Sequence, residues 1–167
     1  METIVVALSF GKPFSASGNK AIAEIAERIA ARNDACIIAD KSIPLKENVA
    51  VIFIGPPAEE HESTLLLAKQ IATLVKVSDA TWKDIIIVSA PDYMPRAGRD
   101  VEWAMQKQKI KFEAISWLDL DEADLAKNYK WYDPKSTQIW TRYRWLFLLR
   151  EYILMAMPFW LYKKLTT

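Results

Sequence analysis

Residues 85–97 have the sequence IIIVSAPDYMPRA. The uniformly apolar, β-branched run 85–88 predicts a strand buried on both faces, like the strands of a parallel sheet. Residues 89–95 are rich in Ser, Pro and Asp and predict a loop. Pro95 suits the first turn of a helix, which we predict over residues 96–107. Strand, loop and helix in this order form the repeating unit of α/β proteins with a parallel sheet.

The same alternation continues on both sides of this stretch. Four further apolar runs predict strands, at residues 3–9, 35–39, 49–54 and 110–116. Three further segments predict helices: one from residue 20, capped by Asn19 or Ser17; one over residues 59–77; and a short one opened by the carboxylates of residues 119–124. We therefore expect one α/β domain over residues 1–167, a three-layer Rossmann-like sandwich whose mostly parallel sheet has about five strands.

The sequence does not decide how the second and third predicted strands are connected. Only about nine residues, Pro44 among them, separate strands 35–39 and 49–54, whereas a parallel crossover usually takes a dozen or more. A compact crossover and an antiparallel pairing both fit the sequence.

Residues 127–167 differ chemically from the rest of the chain. They hold 8 Lys+Arg and 2 Asp+Glu, a net charge of +6, and 11 of the 19 aromatic residues, whereas residues 1–126 have a net charge of −5. Residues 136–162 predict a C-terminal aromatic helical segment, either one long helix or a pair broken near Pro158. The charged pair Arg150–Glu151 argues against a membrane span.

Three roles remain for this segment: packing against the sheet, contact with a second copy in a homodimer, and peripheral contact with a membrane through Trp, Tyr and Lys163-Lys164. We expect no nucleic-acid partner, because the remainder of the chain is acidic. The N-terminus has no basic and apolar leader, so we expect a cytoplasmic protein, with membrane association as the alternative. The single cysteine, Cys36, excludes an internal disulfide and is predicted to be a small buried hydrophobe.

Polar side chains follow the strands of the predicted sheet. In open α/β sheets, ligands bind beyond the carboxyl ends of the strands, so these residues should converge. The candidate ligand-binding residues are Ser9, Gly11, Lys12, Asp40, Glu62, Thr64, Ser89, Tyr93 and Arg96. Hydroxyls, carboxylates, a Lys and an Arg suit a small polar or phosphorylated ligand. The first loop matches neither G-x-G-x-x-G nor G-x-x-x-x-G-K-[ST], so a nucleotide fingerprint is not predicted.

Arg96 is the most informative of these candidates. It falls in the first turn of a predicted helix, where a cation opposes the helix dipole. Such a cation should meet an anion, which is either a ligand or a protein carboxylate, Asp92 or Glu62. No metal site is predicted, since His61 is the only histidine and the carboxylates at residues 119–124 suit a solvated helix start.

Two short segments on either side of the strand at 85–88 carry a family resemblance. Residues 62–68 (ESTLLLA) and 93–97 (YMPRA) resemble the YdcF/SanA/ElyC-like domain, over residues 3–117 of this chain. That family shows a Glu followed by Thr-x-x-Asn-Ala, then a strand, then His-Met-x-Arg-Ala. The matching positions are Thr64, Ala68, Met94, Arg96 and Ala97, with Glu60 or Glu62 as the Glu.

The resemblance implies a Rossmann-like fold and an association with cell-envelope processes or with S-adenosylmethionine binding, without a settled reaction. Leu67 stands in place of the family's Asn and Tyr93 in place of its His. These two departures favour binding over the family's catalysis.

Two functions therefore follow from the sequence. The first is binding of a small anionic or nucleotide-like ligand, with S-adenosylmethionine or a nucleotide as the candidate cofactor, at the carboxyl ends of the strands. The alternative is a non-catalytic interaction module that works through the aromatic basic C-terminal segment. The sequence identifies no catalytic residue and leaves open whether a reaction is catalysed.

Overall fold

Five strands form a single, wholly parallel sheet in the computed structural model, which describes residues 3–11, 15–46, 50–56, 63–78, 82–120 and 127–166. The strands are β1 Thr3–Ala7, β2 Cys36–Asp40, β3 Val51–Ile54, β4 Asp84–Val88 and β5 Glu113–Ser116. Their order across the sheet is β3-β2-β1-β4-β5, the order of the first five strands of doubly wound dinucleotide-binding folds. Every strand predicted from the sequence is present.

Helices flank this sheet and make the predicted three-layer Rossmann-like sandwich. They are α1 Ser17–Asn33, α2 Thr64–Val77, α3 Met94–Lys107, α4 Arg144–Ala156 and α5 Phe159–Thr166. The central strands β1 and β4 are almost wholly buried, as their unbroken apolar sequences predict. The helix α1 packs on β1 and β2, and α2 packs on α3.

The open question about β2 and β3 is resolved in favour of a compact parallel crossover. Ile37 pairs with Val51 and Asp40 with Ile54. The chain turns sharply after β2, where the Ile43 amide donates to the Asp40 carbonyl at 3.0 Å and the Ile43 side chain is buried. The short link contains no helix in its described part, and Ile52 and Phe53 of the edge strand β3 are exposed.

The start of α1 differs from the prediction. The helix begins at Ser17 after Ala16, and neither Ser17 nor Asn19 caps it with its side chain. Asn19 lies inside the first turn, where its side chain accepts from the Phe10 amide at 2.7 Å and donates to the Gly11 carbonyl at 3.1 Å. It therefore holds the loop after β1 in place rather than the end of the helix.

The helices α2 and α3 also begin at other residues than predicted. The described part of α2 starts at Thr64 and is capped by Ser63, which accepts from the Leu66 amide at 3.2 Å; residues 59–62 lie outside the described chain. A 3-10 turn, Pro91–Tyr93, replaces most of the predicted loop, and α3 follows directly at Met94. Pro95 lies in the first turn of α3, as predicted.

Two smaller predictions need correction, those of the start of β5 and of the burial of Cys36. The strand β5 begins at Glu113 rather than at residue 110, and the chain after it forms a 3-10 turn, Trp117–Asp119. Residues 121–126, most of the predicted acidic helix start, lie outside the described chain. Cys36 is only partly buried, because it opens β2; its burial still raises the pKa of the thiol and favours the unreactive protonated form.

The C-terminal segment is the predicted helix pair, interrupted at Met157 and Pro158, although it begins at Arg144 rather than at residue 136. Phe147 of α4 packs against Phe10 after β1, with 4.8 Å between their ring centroids. Within the described ranges, none of the helices combines the length and the apolar character needed to cross a membrane.

Asp92 ties α4 to the loop after β4. Its carboxylate accepts from Arg144 at 2.7 and 3.0 Å and from the Tyr132 hydroxyl at 2.7 Å. Partial burial acts to raise the pKa of Asp92, but the hydrogen bonds from Arg144 and Tyr132 outweigh it and lower the pKa below its usual value.

We expect Asp92→Asn to be destabilising in a pH-dependent way. Folding lowers the pKa of Asp92, so its ionised carboxylate adds to the free energy of unfolding. This contribution is complete above the pKa of the unfolded chain, about 3.9, and is lost as the pH falls through the lower pKa of the folded protein. Urea midpoints should therefore differ between wild type and variant at neutral pH and converge in acid. Glu102→Gln, at an exposed carboxylate on α3, is the control and should show no such convergence. A difference that stays constant with pH would contradict this role of Asp92.

Candidate functional site

A cavity of about 440 Å³ opens at the carboxyl ends of β1 and β2. Its size falls within the range of small-molecule sites. Its walls come from the ends of these strands, the first turns of α2 and α3, and the C-terminal segment. It therefore occupies the edge of the sheet where ligands bind in α/β proteins.

The structure brings most of the predicted site residues to this cavity. The lining residues among them are Ser9, Gly11, Asp40, Thr64, Tyr93 and Arg96. Ser89 does not line it: its side chain is fully buried and donates to the Leu8 carbonyl, and its own carbonyl accepts from the Trp117 indole. Lys12 and Glu62 lie outside the described residues.

Asp40 presents a carboxylate to one side of the cavity. It is the last residue of β2, and its Oδ2 accepts from the Ser9 hydroxyl at 2.5 Å while its Oδ1 accepts from the Ser42 amide at 2.8 Å. Doubly wound folds often place an acidic residue after the second strand, where it binds the hydroxyls of a ribose. Asp40 occupies the corresponding place in this sheet.

Arg96 forms a buried ion pair with a residue that the sequence analysis did not consider. Its Nε and Nη2 donate to the two carboxylate oxygens of Glu151 on α4 at 2.6 and 3.0 Å, and its side chain is 5% exposed. The prediction of Asp92 as its partner was wrong, because Asp92 pairs with Arg144 instead. Burial acts against the charged guanidinium, but the hydrogen bonds and the negative charge of Glu151 outweigh it and raise the pKa of Arg96.

Tyr93 is also held inside this network. Its hydroxyl is hydrogen-bonded to that of Thr64, and the Arg96 guanidinium lies 4.6 Å from the centre of its ring. Burial raises the pKa of the phenol, so Tyr93 stays neutral at physiological pH.

Arg150 is the cavity residue that the sequence analysis missed. It lines the cavity, its side chain is 31% exposed, and its Nη1 donates to Glu151 at 2.9 Å. Its guanidinium lies 5.1 Å from the ring centre of Trp140, which also lines the cavity. The signal in the sequence was the charged pair 150–151 inside an otherwise apolar run, which argued against a membrane span but was not connected to the strand ends.

Positive charge exceeds negative charge in the described part of this network. Glu151 serves both Arg96 and Arg150, and Asp100 pairs with Arg99 and accepts a hydrogen bond from the Tyr162 hydroxyl. Three guanidinium groups thus share two carboxylates. Burial and the neighbouring Arg96 lower the pKa of Arg150, and Glu151 acts in the opposite direction.

Gly11 in the loop after β1 and Gly18 in the first turn of α1 make room for residues 131–141. Gly11 has a φ of +82°, and a Cβ at this position would lie 2.9 Å from the Thr141 hydroxyl oxygen. A Cβ at Gly18 would lie 3.0 Å from the Phe10 ring and 3.2 Å from the Trp131 carbonyl. Where a nucleotide-binding loop would use its glycines to approach a phosphate, this loop uses them to pack against residues 131–141.

The C-terminal segment is therefore a wall of the site. Together with the residues that flank its two helices, it contributes Gln138, Trp140, Thr141, Phe147, Arg150, Leu165 and Thr166 to the cavity. The sequence suggested either a ligand site at the strand ends or a separate interaction segment at the C-terminus. In the structure, residues of that segment line the cavity at the strand ends. Neither the protein-family models, the curated proteins nor the solved structures compared with this chain gives a match. What the cavity binds has to be inferred from its own residues.

A double-mutant cycle should reveal strong coupling between Arg96 and Glu151. Glu151→Leu leaves two guanidinium groups without their carboxylate and should cost about 3–5 kcal/mol of unfolding free energy. Arg96→Met should cost less, because Glu151 keeps its bond to Arg150. The double variant should be more stable than the sum of the single losses predicts, as measured by urea unfolding.

The exposed pair Arg28–Glu24 on α1 is the control for this cycle. Its coupling should be about 0.5 kcal/mol or less. If Arg96 and Glu151 prove equally weakly coupled, the buried ion pair is not what joins α3 to α4.

Proposed function

We propose that this chain binds a small anionic or nucleotide-like ligand in the cavity at the strand ends, as a divergent YdcF/SanA/ElyC-like domain. The observation that carries the proposal is that Arg150 lines the cavity and shares with the buried Arg96 a single carboxylate, that of Glu151. An anionic group placed beside Arg150 would offset the excess of positive charge.

The Arg150 side of the cavity suits a phosphate or a carboxylate. A guanidinium group binds either anion through two parallel N–H donors, and such charge-assisted hydrogen bonds are stronger than neutral ones. Ser63 and Thr64 also line the cavity at the start of α2, where the Thr64 hydroxyl accepts from Arg96 at 2.9 Å. The Trp140 ring supplies a flat apolar surface next to the guanidinium.

Asp40 suits the ribose of a nucleotide-like ligand. A carboxylate accepts hydrogen bonds from the hydroxyls of a ribose and repels a phosphate. A ligand that combines an anionic group with ribose hydroxyls would supply partners for both Arg150 and Asp40. A nucleotide carries a phosphate on its ribose, and S-adenosylmethionine carries a carboxylate on the amino-acid chain that the sulfonium joins to its ribose.

The state of Tyr93 supports binding rather than the family's catalysis. The position at which that family has His holds a neutral, buried phenol that is hydrogen-bonded to Thr64 and packed on Arg96. A group in this state positions its neighbours but is a poor proton acceptor near neutral pH.

Thermal-shift screening followed by isothermal titration calorimetry tests the proposal. The probes are AMP, ADP, S-adenosylmethionine, glucose 6-phosphate and inorganic phosphate. Arg150→Gln should weaken binding of the best ligand about 10- to 100-fold, the loss expected for a charge-assisted hydrogen bond. Arg28→Gln, at an exposed arginine of α1, should bind like wild type. A flat result across the panel, or full affinity in Arg150→Gln, would overturn the proposal.

Asp40→Asn distinguishes a nucleotide-like ligand from a simple anion. We expect it to weaken nucleotides or S-adenosylmethionine about tenfold, because it removes the charged acceptor for the ribose hydroxyls. Binding of inorganic phosphate should be unchanged or tighter, since a repelling carboxylate is gone. If both kinds of probe lose affinity equally, Asp40 acts through the local fold and not through the sugar.

A further inference from the structure

Unlike an ordinary surface helix, α4 buries a charged side chain and leaves most of its large apolar side chains exposed. Its two buried residues are Phe147 and the carboxylate-bearing Glu151. At about 100° per residue, the opposite side is a stripe formed by Trp145, Leu149, Tyr152 and Ile153. All four side chains are more than half exposed, with Tyr152 at 73% and Trp145 at 66%.

The helix α5 also exposes apolar side chains. Trp160 is 67% exposed and Leu165 is 64% exposed, with the exposed Lys164 between them in the sequence. We call the exposed side chains of Trp145, Leu149, Tyr152, Ile153 and Trp160 the outer face. None of them lines the cavity, and an exposed apolar surface of this kind marks an interaction site.

The charge around the outer face favours an anionic partner. At the start of α4, Lys127, Lys130 and Arg144 line one cleft together with a single carboxylate, that of Asp92, and Lys164 is exposed on α5. A second copy of the chain docked on this face would bring these basic side chains close to those of the first copy, which disfavours an interface between copies. Exposed Trp and Tyr beside Lys and Arg are the side chains that occupy the boundary between anionic lipid headgroups and acyl chains.

We propose that the outer face docks this protein on an anionic lipid bilayer. The 13-residue helix α4 lies in the plane of the interface, with its apolar stripe facing the acyl chains and the basic side chains at its N-terminal end reaching the headgroups. This function is independent of ligand binding, because Arg150 and Asp40 lie in the cavity and the stripe lies on the opposite side of α4.

Flotation of the full chain with vesicles tests the docking. Vesicles of phosphatidylcholine with about 25 mol % phosphatidylserine should bind the protein about tenfold more strongly than phosphatidylcholine alone, since each basic residue near an anionic surface adds to the affinity. The tryptophan emission should shift to shorter wavelength on binding, because Trp145 and Trp160 leave water. Equal binding to both vesicles, or binding to neither, would overturn the proposal.

Single substitutions locate the contact. Leu149→Glu and Ile153→Glu should each reduce vesicle binding about tenfold or more, because they place a charge in the acyl boundary. Val77→Glu makes the same change at an exposed apolar residue of α2 and should bind like wild type. An equal loss in all three variants would show that net charge alone drives binding and would overturn docking through the outer face.

Size-exclusion chromatography with light scattering decides between a bilayer and a second copy. A monomer of wild-type mass supports the bilayer. A dimer that Leu149→Glu dissociates would overturn the proposal and assign the outer face to an interface between copies. The urea midpoints of the variants should equal that of wild type, since the substituted side chains are exposed.

Discussion

The ion pair between Glu151 and Arg96 joins two parts of the chain that are 55 residues apart. Arg96 lies in the first turn of α3, where the helix dipole disfavours a cation, and burial adds to that cost. Only a well-placed carboxylate makes such a position tolerable. Glu151 supplies it from α4, so the C-terminal segment has to lie across the strand ends for the guanidinium to be neutralised.

The position of α4 follows from this requirement and determines its unusual surface. A helix of mostly apolar residues would ordinarily bury its apolar side. Here the side that carries Glu151 faces the protein, and Phe147 enters the aromatic cluster around Phe10. The remaining apolar side chains are therefore left in water, and the outer face is the consequence of placing a carboxylate in the site.

The cavity is built by a different route from that of a glycine-rich nucleotide site. Its strand order and the acidic residue at the end of β2 are those of doubly wound folds. Gly11 in the first loop and Gly18 in the first turn of α1, however, accommodate Thr141 and Trp131. The exposed part of the Arg150 guanidinium supplies positive charge to the cavity, from the wall that residues 138–166 provide.

The sequence by itself determined the layers of this protein, because alternating apolar runs and helical periodicity are local signals. It predicted the parallel sheet, and six of the nine candidate residues that it identified line a cavity at the strand ends. Tertiary structure alone decided the partner of Arg96, the role of Arg150 and the pairing of β2 with β3. These depend on contacts between distant parts of the chain: periodicity shows that residues 150–151 interrupt an apolar helix, but not which buried charge they meet. Asn19 shows the same limit at shorter range, since its amide satisfies a loop backbone that only the folded turn after β1 presents.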